Sequence, residues 1–222
     1  MSSFVSRYRD GARAALAVAA TVWFFGASFG LVARAAGMGV LAPLVMSATT
    51  FAGSAQFAVT SIFGAGGGAA AAIAAAVLLN ARYAPISISV ASLFHGPLPR
   101  RLAESQLIVD ESWALSSRGG GCFDRRILIG AGLLLYAAWV SGTAVGVLAG
   151  HALGDPKDLG LDGAFPALFL ALLAPQLGAP RAKVAAATGA AIALVLIPVT
   201  PAGIPIVVAS AACLLGLRRR KL

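Results

Sequence analysis

The chain has 222 residues, of which 59% are hydrophobic and 11% are charged, and its mean hydropathy is +0.88. Soluble domains carry about 25% charged residues, so this composition excludes an ordinary soluble protein and predicts an all-α, polytopic integral membrane protein. The net charge of +9 could indicate nucleic-acid binding. Since the basic residues stand beside apolar runs, as in cytoplasmic loops of membrane proteins, we expect a lipid bilayer and no nucleic acid as partner.

The first apolar run follows a basic N-terminus. Arg7, Arg9 and Arg13 precede the uncharged segment Ala14 to Ala33. A secretory signal peptide has an apolar core of about 7 to 15 residues, which is shorter than this run. About 20 apolar residues span a bilayer, so we predict a retained first transmembrane helix.

Part of the sequence of this helix is repeated 116 positions further along the chain. The motif W-x2-G-x3-G-x2-A recurs, with Trp139 and Gly142 in the places of Trp23 and Gly26. Small residues four apart let membrane helices approach closely, which also explains such spacing. We predict one permease domain over residues 1–222, with possible repeat halves 11–97 and 126–221 joined by a polar interfacial segment 98–125.

In the first half, the apolar runs predict a second helix from Leu44 to Phe63 and a further apolar segment from Ala69 to Phe94. This segment is either one long tilted helix or two half-helices broken around Asn80 to Pro85. Pro85 removes a backbone donor and clashes with the carbonyl of residue 81. Freed backbone groups at membrane depth are tolerated where they line a cavity or are buried in protein.

Arg82 stands alone after the uncharged run from Ala35 to Ala81. An intramembrane charge costs roughly 2.5 to 3.5 kcal/mol on insertion scales, so such a residue is a functional candidate. Its guanidinium offers two parallel donors that match a carboxylate. The alternative is a structural arginine that ties the carbonyls of a broken helix. The polar or small residues grouped with it as a predicted substrate site are Asn80, Gln56, Ser54 and Gly53. The alternative for the three polar residues is interhelical hydrogen bonding, and for Gly53 it is close helix packing.

The polar segment after His95 contains the adjacent carboxylates Asp110 and Glu111. Its leucines and Trp113 could form the apolar side of a short interfacial helix, with these acids facing water. Two neighbouring carboxylates can also push one pKa upward, as proton coupling requires. The pair is therefore either a solvated helix face or the proton-coupling site.

The second half predicts a spanning helix from Ile127 to Ala149, an acidic loop at 151–162, a span from Ala164 to Leu177 and two short helices within Val184 to Leu217. We expect about seven transmembrane helices, within a range of six to eight. Basic segments put both termini in the cytoplasm, which requires an even number of crossings before residue 96. The lengths of the apolar runs conflict with that requirement. The alternatives are seven helices with one loop that violates the charge rule, or a form with a re-entrant or doubly crossing break.

Taken together, several segments resemble the AzlC family, the large subunit of AzlC/AzlD-type branched-chain amino-acid exporters. The segments are 35–58 (AAGMGVLAPLVMSATTFAGSAQFA), 78–83 (LLNARY), 109–115 (VDESWAL), 135–150 (LYAAWVSGTAVGVLAG) and 159–173 (LGLDGAFPALFLALL). The resemblance implies a helical permease of the cytoplasmic membrane that exports apolar amino acids, driven by protons, with a small hydrophobic AzlD-like subunit. Tyr83 departs from the histidine that often follows this arginine in the family.

Two other functions compete with transport. A membrane assembly or scaffold protein would use the same small-residue helix faces for a partner. An intramembrane enzyme would need a metal-ligand cluster or a nucleophile motif, and the sequence supplies neither. The two cysteines, Cys122 and Cys213, also lack metal-ligand spacing. We therefore expect no enzyme activity, no metal and no cofactor.

Overall fold

The computed structural model describes residues 2–119, 121–150, 170, 173–178, 180–201 and 204–216. These residues are almost entirely helical, with one short hairpin. The helices are α1 (Ser2–Ala14), α2 (Leu16–Ala35), α3 (Leu41–Thr49), α4 (Gly53–Gly64), α5 (Ala69–Asn80), α6 (Tyr83–Val90), α7 (Leu98–Ser105), α8 (Asp110–Ser116), α9 (Arg125–Ala149), α10 (Pro180–Leu196) and α11 (Ile204–Ala209), with 3-10 helices at Ala91–Leu93, Ala174–Gly178 and Ser210–Gly216; strands β1 (Ser117–Gly119) and β2 (Cys122–Phe123) pair antiparallel.

Helix α9 is the central helix of the described residues, since α1, α2, α3 and α8 all pack against it. At about 1.5 Å per residue its 25 residues extend about 37 Å, enough to cross a bilayer. Asp124 caps its start, because the Asp124 carboxylate accepts hydrogen bonds from the backbone N–H groups of Arg126 (3.0 Å) and Ile127 (3.3 Å). The described part of the chain has one other helix of this kind, Tyr8–Ala35, which joins α1 to α2.

Helices α2 and α9 run parallel at very short range, and glycines make this possible. A Cβ atom on Gly26 would lie 2.6 Å from the Trp139 carbonyl oxygen, and one on Gly142 would meet the Trp23 carbonyl oxygen even more closely. Gly30 abuts Thr143 in the same way, and the equivalent Gly146 abuts Ala27. The contacts are thus reciprocal at the 116-residue offset found in the sequence. The division of the chain into two repeat halves stays a prediction.

Helices α3 and α4 form a hairpin that enters and leaves at one end of α9. The Ser47 hydroxyl is 2.8 Å from the Thr143 hydroxyl, and Ala48 accepts a hydrogen bond from Tyr136, which is nearer the Arg125 end. Helix α4 then starts against Trp139 and ends at Gly64, beside Ala36 at the close of α2. The predicted continuous helix from Leu44 to Phe63 is therefore wrong: the chain reverses at residues 50–52.

The reversal has a visible backbone signature. Phe51 has a φ of 43°, a left-handed conformation that is uncommon for a residue with a side chain. Its ring packs edge-on against Tyr136 at a centroid distance of 5.3 Å. The break therefore depends on tertiary packing, which is why the even hydropathy of the segment did not reveal it.

Helices α5 and α6 cross from the Gly150 end of α9 to the Arg125 end, with a bend of 43° between them. Val90 and Phe94 pack with Leu128, in the first turn of α9. The break predicted near Asn80 to Pro85 falls at Ala81 and Arg82, and Pro85 lies in the first turn of α6, where a missing backbone donor costs little.

Helices α7 and α8 form a second inward turn, from the Arg125 end. Gly132 lets the Leu107 carbonyl oxygen approach α9, since a Cβ there would lie 2.5 Å from it. The Gln106 side chain donates a hydrogen bond to the Thr49 carbonyl oxygen at 2.7 Å, so this turn touches the end of α3. The single interfacial helix expected here is thus two short helices, and their junction reaches inward.

The number of crossings is not resolved by these residues. They contain two apolar helices long enough to span a membrane, or three if the bent pair α5–α6 counts as one span. The predicted span at 164–177 and the acidic loop at 151–162 lie largely or wholly outside the described residues. In the second half, α10 ends at Leu196, which is the position equivalent to Asn80 at the 116-residue offset.

Candidate functional site

Three helix breaks meet near the middle of α9. They are the reversal at Phe51 in the α3–α4 hairpin, the bend at Arg82 and the turn that ends at Val109. A cavity of about 540 Å³ lies between them. Interrupted helices at membrane depth leave backbone and side-chain polar groups available to a ligand, as in many transporters. This cavity is the candidate substrate site.

Arg82 projects into this cavity from the bend between α5 and α6. Its Nη2 atom lies 3.1 Å from an Asp110 carboxylate oxygen and donates a hydrogen bond to the Tyr83 hydroxyl at 3.3 Å. The guanidinium also lies over the Tyr83 ring, 5.1 Å from its centre, which is cation–π geometry. Its Nε and Nη1 atoms make no hydrogen bond within the described part of the chain. Two donors thus remain for a ligand.

Asp110 and Glu111 line the same cavity, at the start of α8. Both acids keep access to solvent, since Glu111 is exposed and the Asp110 side chain is 44% exposed, but they do so at the cavity. The turn before α8 inserts toward α9, because Val109 packs in the core with Leu135 and Trp139. Asp110 pairs with Arg82, whereas Glu111 forms no ion pair among the described residues. Partial desolvation of the Glu111 carboxyl, with a smaller effect of the Asp110 charge, raises the pKa of Glu111, although the residue as a whole stays exposed.

Gly53 and Ser54, at the start of α4, also line this cavity. A Cβ atom on Gly53 would lie 2.8 Å from the Trp139 ring, so the glycine lets the indole pass. The Ser54 hydroxyl is buried without a hydrogen-bond partner among the described residues, and the same holds for the Trp139 indole nitrogen. A buried polar atom left unpaired costs about 1 to 3 kcal/mol, so a ligand that satisfies it gains affinity.

The remaining wall of the cavity is apolar, with both aromatic and aliphatic side chains. Trp139 stacks on Phe29 at a centroid distance of 6.0 Å and meets Phe57 edge-on at 6.4 Å. The apolar side chains that line the cavity are Val22, Phe25, Phe51, Phe57, Leu79, Val109, Leu135, Trp139 and Leu173. The arrangement places one charged end beside a large apolar surface.

Gln56 and Asn80 do not join Arg82. They line a second cavity, of about 620 Å³, between α3, α4 and α5. Gln56 is fully buried, accepts a hydrogen bond from the Ala52 N–H and donates one to the Ser47 hydroxyl. Gln56 of α4 is therefore hydrogen-bonded to α3 inside the hairpin. The side-chain oxygen of Asn80 is buried and unpaired within the described residues.

The sequence did not single out the aromatic residues of the site. Trp139 was noted for its place in the repeated motif, and Phe51 and Phe57 carried no signal that separates them from other apolar residues of a membrane helix. Tyr83 was noted only as a departure from a family pattern. No group of three or more metal-ligating side chains occurs among the described residues.

The fold and the site define a class: a helical membrane protein whose interrupted helices enclose a charged pair within an apolar cavity. Comparison with known proteins then gives the family. The family model described as "AzlC protein" matches residues 17–153. The chain is also 35% identical over 187 residues to an uncharacterized membrane protein of Archaeoglobus fulgidus, covering 80% of each chain. The chain belongs to the AzlC family, as the resemblance indicated. No solved structure matches it significantly.

Proposed function

We propose that this protein is a secondary transporter that exports branched-chain or related apolar amino acids across the cytoplasmic membrane. Membership of the AzlC family supports this assignment, because the family name is associated with branched-chain amino-acid export. The observation that carries it is the Arg82–Asp110 pair in an apolar cavity at three helix breaks. An amino acid with an apolar side chain has the complementary pattern, with charges at one end and a hydrophobic surface at the other.

Arg82 binds the substrate carboxylate in this proposal. The planar guanidinium can make two parallel charge-assisted hydrogen bonds to a carboxylate, through Nη2 and either Nε or Nη1. Nε and Nη1 have no partner in the described residues, and Nη2 would exchange the Asp110 carboxylate for that of the substrate. The aromatic wall receives the side chain. Gly53 and Ser54 contribute space and one hydroxyl group at the same cavity.

The carboxylates of α8, Asp110 and Glu111, couple transport to protons in this proposal. A coupling group must change protonation in the working pH range, and the raised pKa of Glu111, caused mainly by desolvation, shifts this carboxyl toward that range. Asp110 lies next to it and faces Arg82. The pair can thus sense both a proton and the occupant of the cavity.

We also propose that the Arg125 end of α9 faces the cytoplasm and that the chain works with a small membrane subunit. Arg100, Arg101, Arg118, Arg125 and Arg126 all lie at one end of α9 or on the segment leading into it. Cytoplasmic segments are enriched in arginine and lysine, so this end faces the cytoplasm and both termini lie inside. By family resemblance, the chain works with a small hydrophobic AzlD-like membrane subunit.

The alternative is a scaffold protein that transports nothing. Its main support was the set of small-residue helix faces. The glycines of these faces already pack in the contact between α2 and α9 inside this chain, so they are not available to a partner. They are Gly26, Gly30, Gly142 and Gly146. A scaffold also has no use for a charged pair in a cavity, so the observations favour transport.

The proposal is tested by efflux of labelled leucine from preloaded cells that express the chain with and without its small partner. We expect partner-dependent efflux that Arg82→Ala abolishes and Arg82→Lys lowers by at least about tenfold, since lysine keeps the charge but loses the fork. Arg101→Ala is the matched control, because Arg101 is exposed on α7. Efflux that is indifferent to Arg82 would place the binding site elsewhere, and no efflux of any apolar amino acid would favour the scaffold.

A further inference from the structure

The contact between Arg82 and Asp110 is incomplete as an ion pair. One nitrogen of the guanidinium, Nη2, is 3.1 Å from one carboxylate oxygen, and the two-pronged geometry typical of tight arginine–carboxylate pairs is absent. Both side chains keep just under half of their accessible surface, 45% and 44%. Because both also line the cavity, a ligand can reach each partner without displacing the core.

The charges around the pair are few and well defined. Among the described residues, the titratable or charged groups that face Asp110 are Arg82 and Tyr83 from the α5–α6 bend and Glu111 from α8 itself. The described α4 and α9 side chains at the cavity are uncharged. A ligand that carried only a carboxylate would take Arg82 and leave Asp110 without a cation. A ligand that carried only an amine would take Asp110 and leave Arg82 unpaired. A zwitterion pairs both charges, so it should bind more tightly than either of these ligands.

We propose that Asp110 is the residue that binds the ammonium group of the substrate, so that a zwitterionic amino acid enters the site by inserting between Arg82 and Asp110. The substrate carboxylate replaces Asp110 at Nη2 and also accepts a hydrogen bond from Nε or Nη1 of Arg82, and the ammonium pairs with the Asp110 carboxylate. Every charge then has an opposite partner before and after binding. This assignment rests on the proposed transport of amino acids and separates Asp110, a substrate ligand, from Glu111, which carries the proton.

The other candidate acceptors for an ammonium group are less suitable. The Gln56 amide is already bonded to Ser47 and to the Ala52 backbone. Asn80 lines the other cavity. The Ser54 hydroxyl lines this cavity but has no charge, so it can support an ammonium group and cannot neutralise it.

The test is a binding measurement on the full-length chain purified together with its small membrane subunit in lipid nanodiscs, using labelled leucine. Two competitors are used: isocaproate, which is leucine without its ammonium group, and isoamylamine, which is leucine without its carboxylate. We expect the wild-type protein to bind leucine at least about tenfold more tightly than either competitor, because each leaves one charge unpaired. Wild-type binding of isocaproate that matches leucine would overturn the inference without any variant.

Asp110→Asn then assigns the role. We expect it to weaken leucine at least about tenfold and to leave isocaproate unchanged or tighter, since Arg82 no longer has an internal competitor. Glu111→Gln, the neighbouring acid, should keep the preference for leucine over isocaproate. Equal weakening of both ligands by Asp110→Asn, or loss of the preference in Glu111→Gln instead, would contradict the assignment.

The outcomes separate the two proposals. Leucine that binds to the wild type with a preference insensitive to Asp110 overturns this inference and leaves the transport proposal standing. No binding of leucine or any apolar amino acid overturns the transport proposal, and this inference falls with it. If Asp110→Asn does not fold, Asp110→Glu keeps the charge one methylene further out and should retain the preference for the zwitterion.

Discussion

At the scale of single residues, placement decides what each charge does. Arg82 could be identified from sequence because a lone guanidinium in a long uncharged run is costly and needs a reason. The role of Asp110 could not, because its neighbours in sequence are the polar residues of a segment that looks amphipathic. Only the inward turn before α8 brings Asp110 to within 3.1 Å of Arg82.

Glu104 is the clearest case of a charge with a structural task. Its carboxylate accepts hydrogen bonds from Arg100, at 2.9 Å, and from Arg125, so it ties α7 to the start of α9. The side chain is only 13% exposed. Partial burial opposes ionisation, but the two arginine hydrogen bonds outweigh it and hold the pKa of Glu104 below its ordinary value.

We expect Glu104→Gln to destabilise the protein by about 1 to 3 kcal/mol at neutral pH, because charge-assisted hydrogen bonds are lost. A lowered folded-state pKa stabilises the protein above the unfolded pKa of the group, and that contribution disappears as the pH falls through the folded pKa. The difference from wild type should therefore shrink on acidification. Thermal unfolding in detergent from neutral to acidic pH measures it.

Arg101→Gln is the control for this measurement, since it removes a charge from the same helix at an exposed position. A Glu104→Gln deficit that stays constant down to strongly acidic pH would show that the carboxylate charge is not what stabilises this junction.

At the scale of elements, glycine spacing sets how close the two long helices come. Gly26, Gly30, Gly142 and Gly146 each face the backbone of the other helix, and no side chain fits there. In a membrane there is no hydrophobic driving force between helices, so close van der Waals packing of this kind stabilises the pair. The contact also fixes Trp139 beside the cavity.

We expect Gly146→Ala to destabilise the protein by about 1 to 3 kcal/mol, because the new methyl group would collide with the Ala27 carbonyl oxygen and push α2 from α9. Gly68→Ala is the matched control: it has a negative φ of −81° and no atom within 4 Å of the added carbon. Both are compared by thermal unfolding in the same detergent. Equal melting temperatures for the two variants would mean that this interface relaxes freely.

At the scale of the whole molecule, the α3–α4 hairpin suggests how the charge pattern and the helix lengths could agree. Cytoplasmic termini need an even number of crossings before residue 96, and the apolar runs alone do not supply it. If α3 and α4 enter and leave on one side of the membrane, Tyr8–Ala35 and the bent pair α5–α6 would be the two crossings that remain. We therefore predict that the uncharged segment after Ala35 contains one re-entrant hairpin and one span.

Cysteine labelling with a membrane-impermeant reagent tests this arrangement. In a background with Cys122→Ser and Cys213→Ser, Val40→Cys and Ala65→Cys place a thiol before α3 and after α4. We expect both to label from the same side of the membrane, because the hairpin returns to where it started. Cys122, retained in a Cys213→Ser chain, should label from the opposite side, since the β1–β2 hairpin lies at the Arg125 end. Labelling of positions 40 and 65 from opposite sides would make α3–α4 a full crossing.

The sequence by itself determined the membrane class, the AzlC family, the long helices and the break at Arg82, because hydropathy, charge and proline act locally along the chain. Tertiary structure decided the rest. The reversal at Phe51 and the inward turn before Asp110 depend on contacts with Tyr136, Leu135 and Trp139, residues far away in sequence. A uniform apolar run carries no local signal for where it reverses, so only packing could place the acid beside the arginine and separate Asn80 and Gln56 from both.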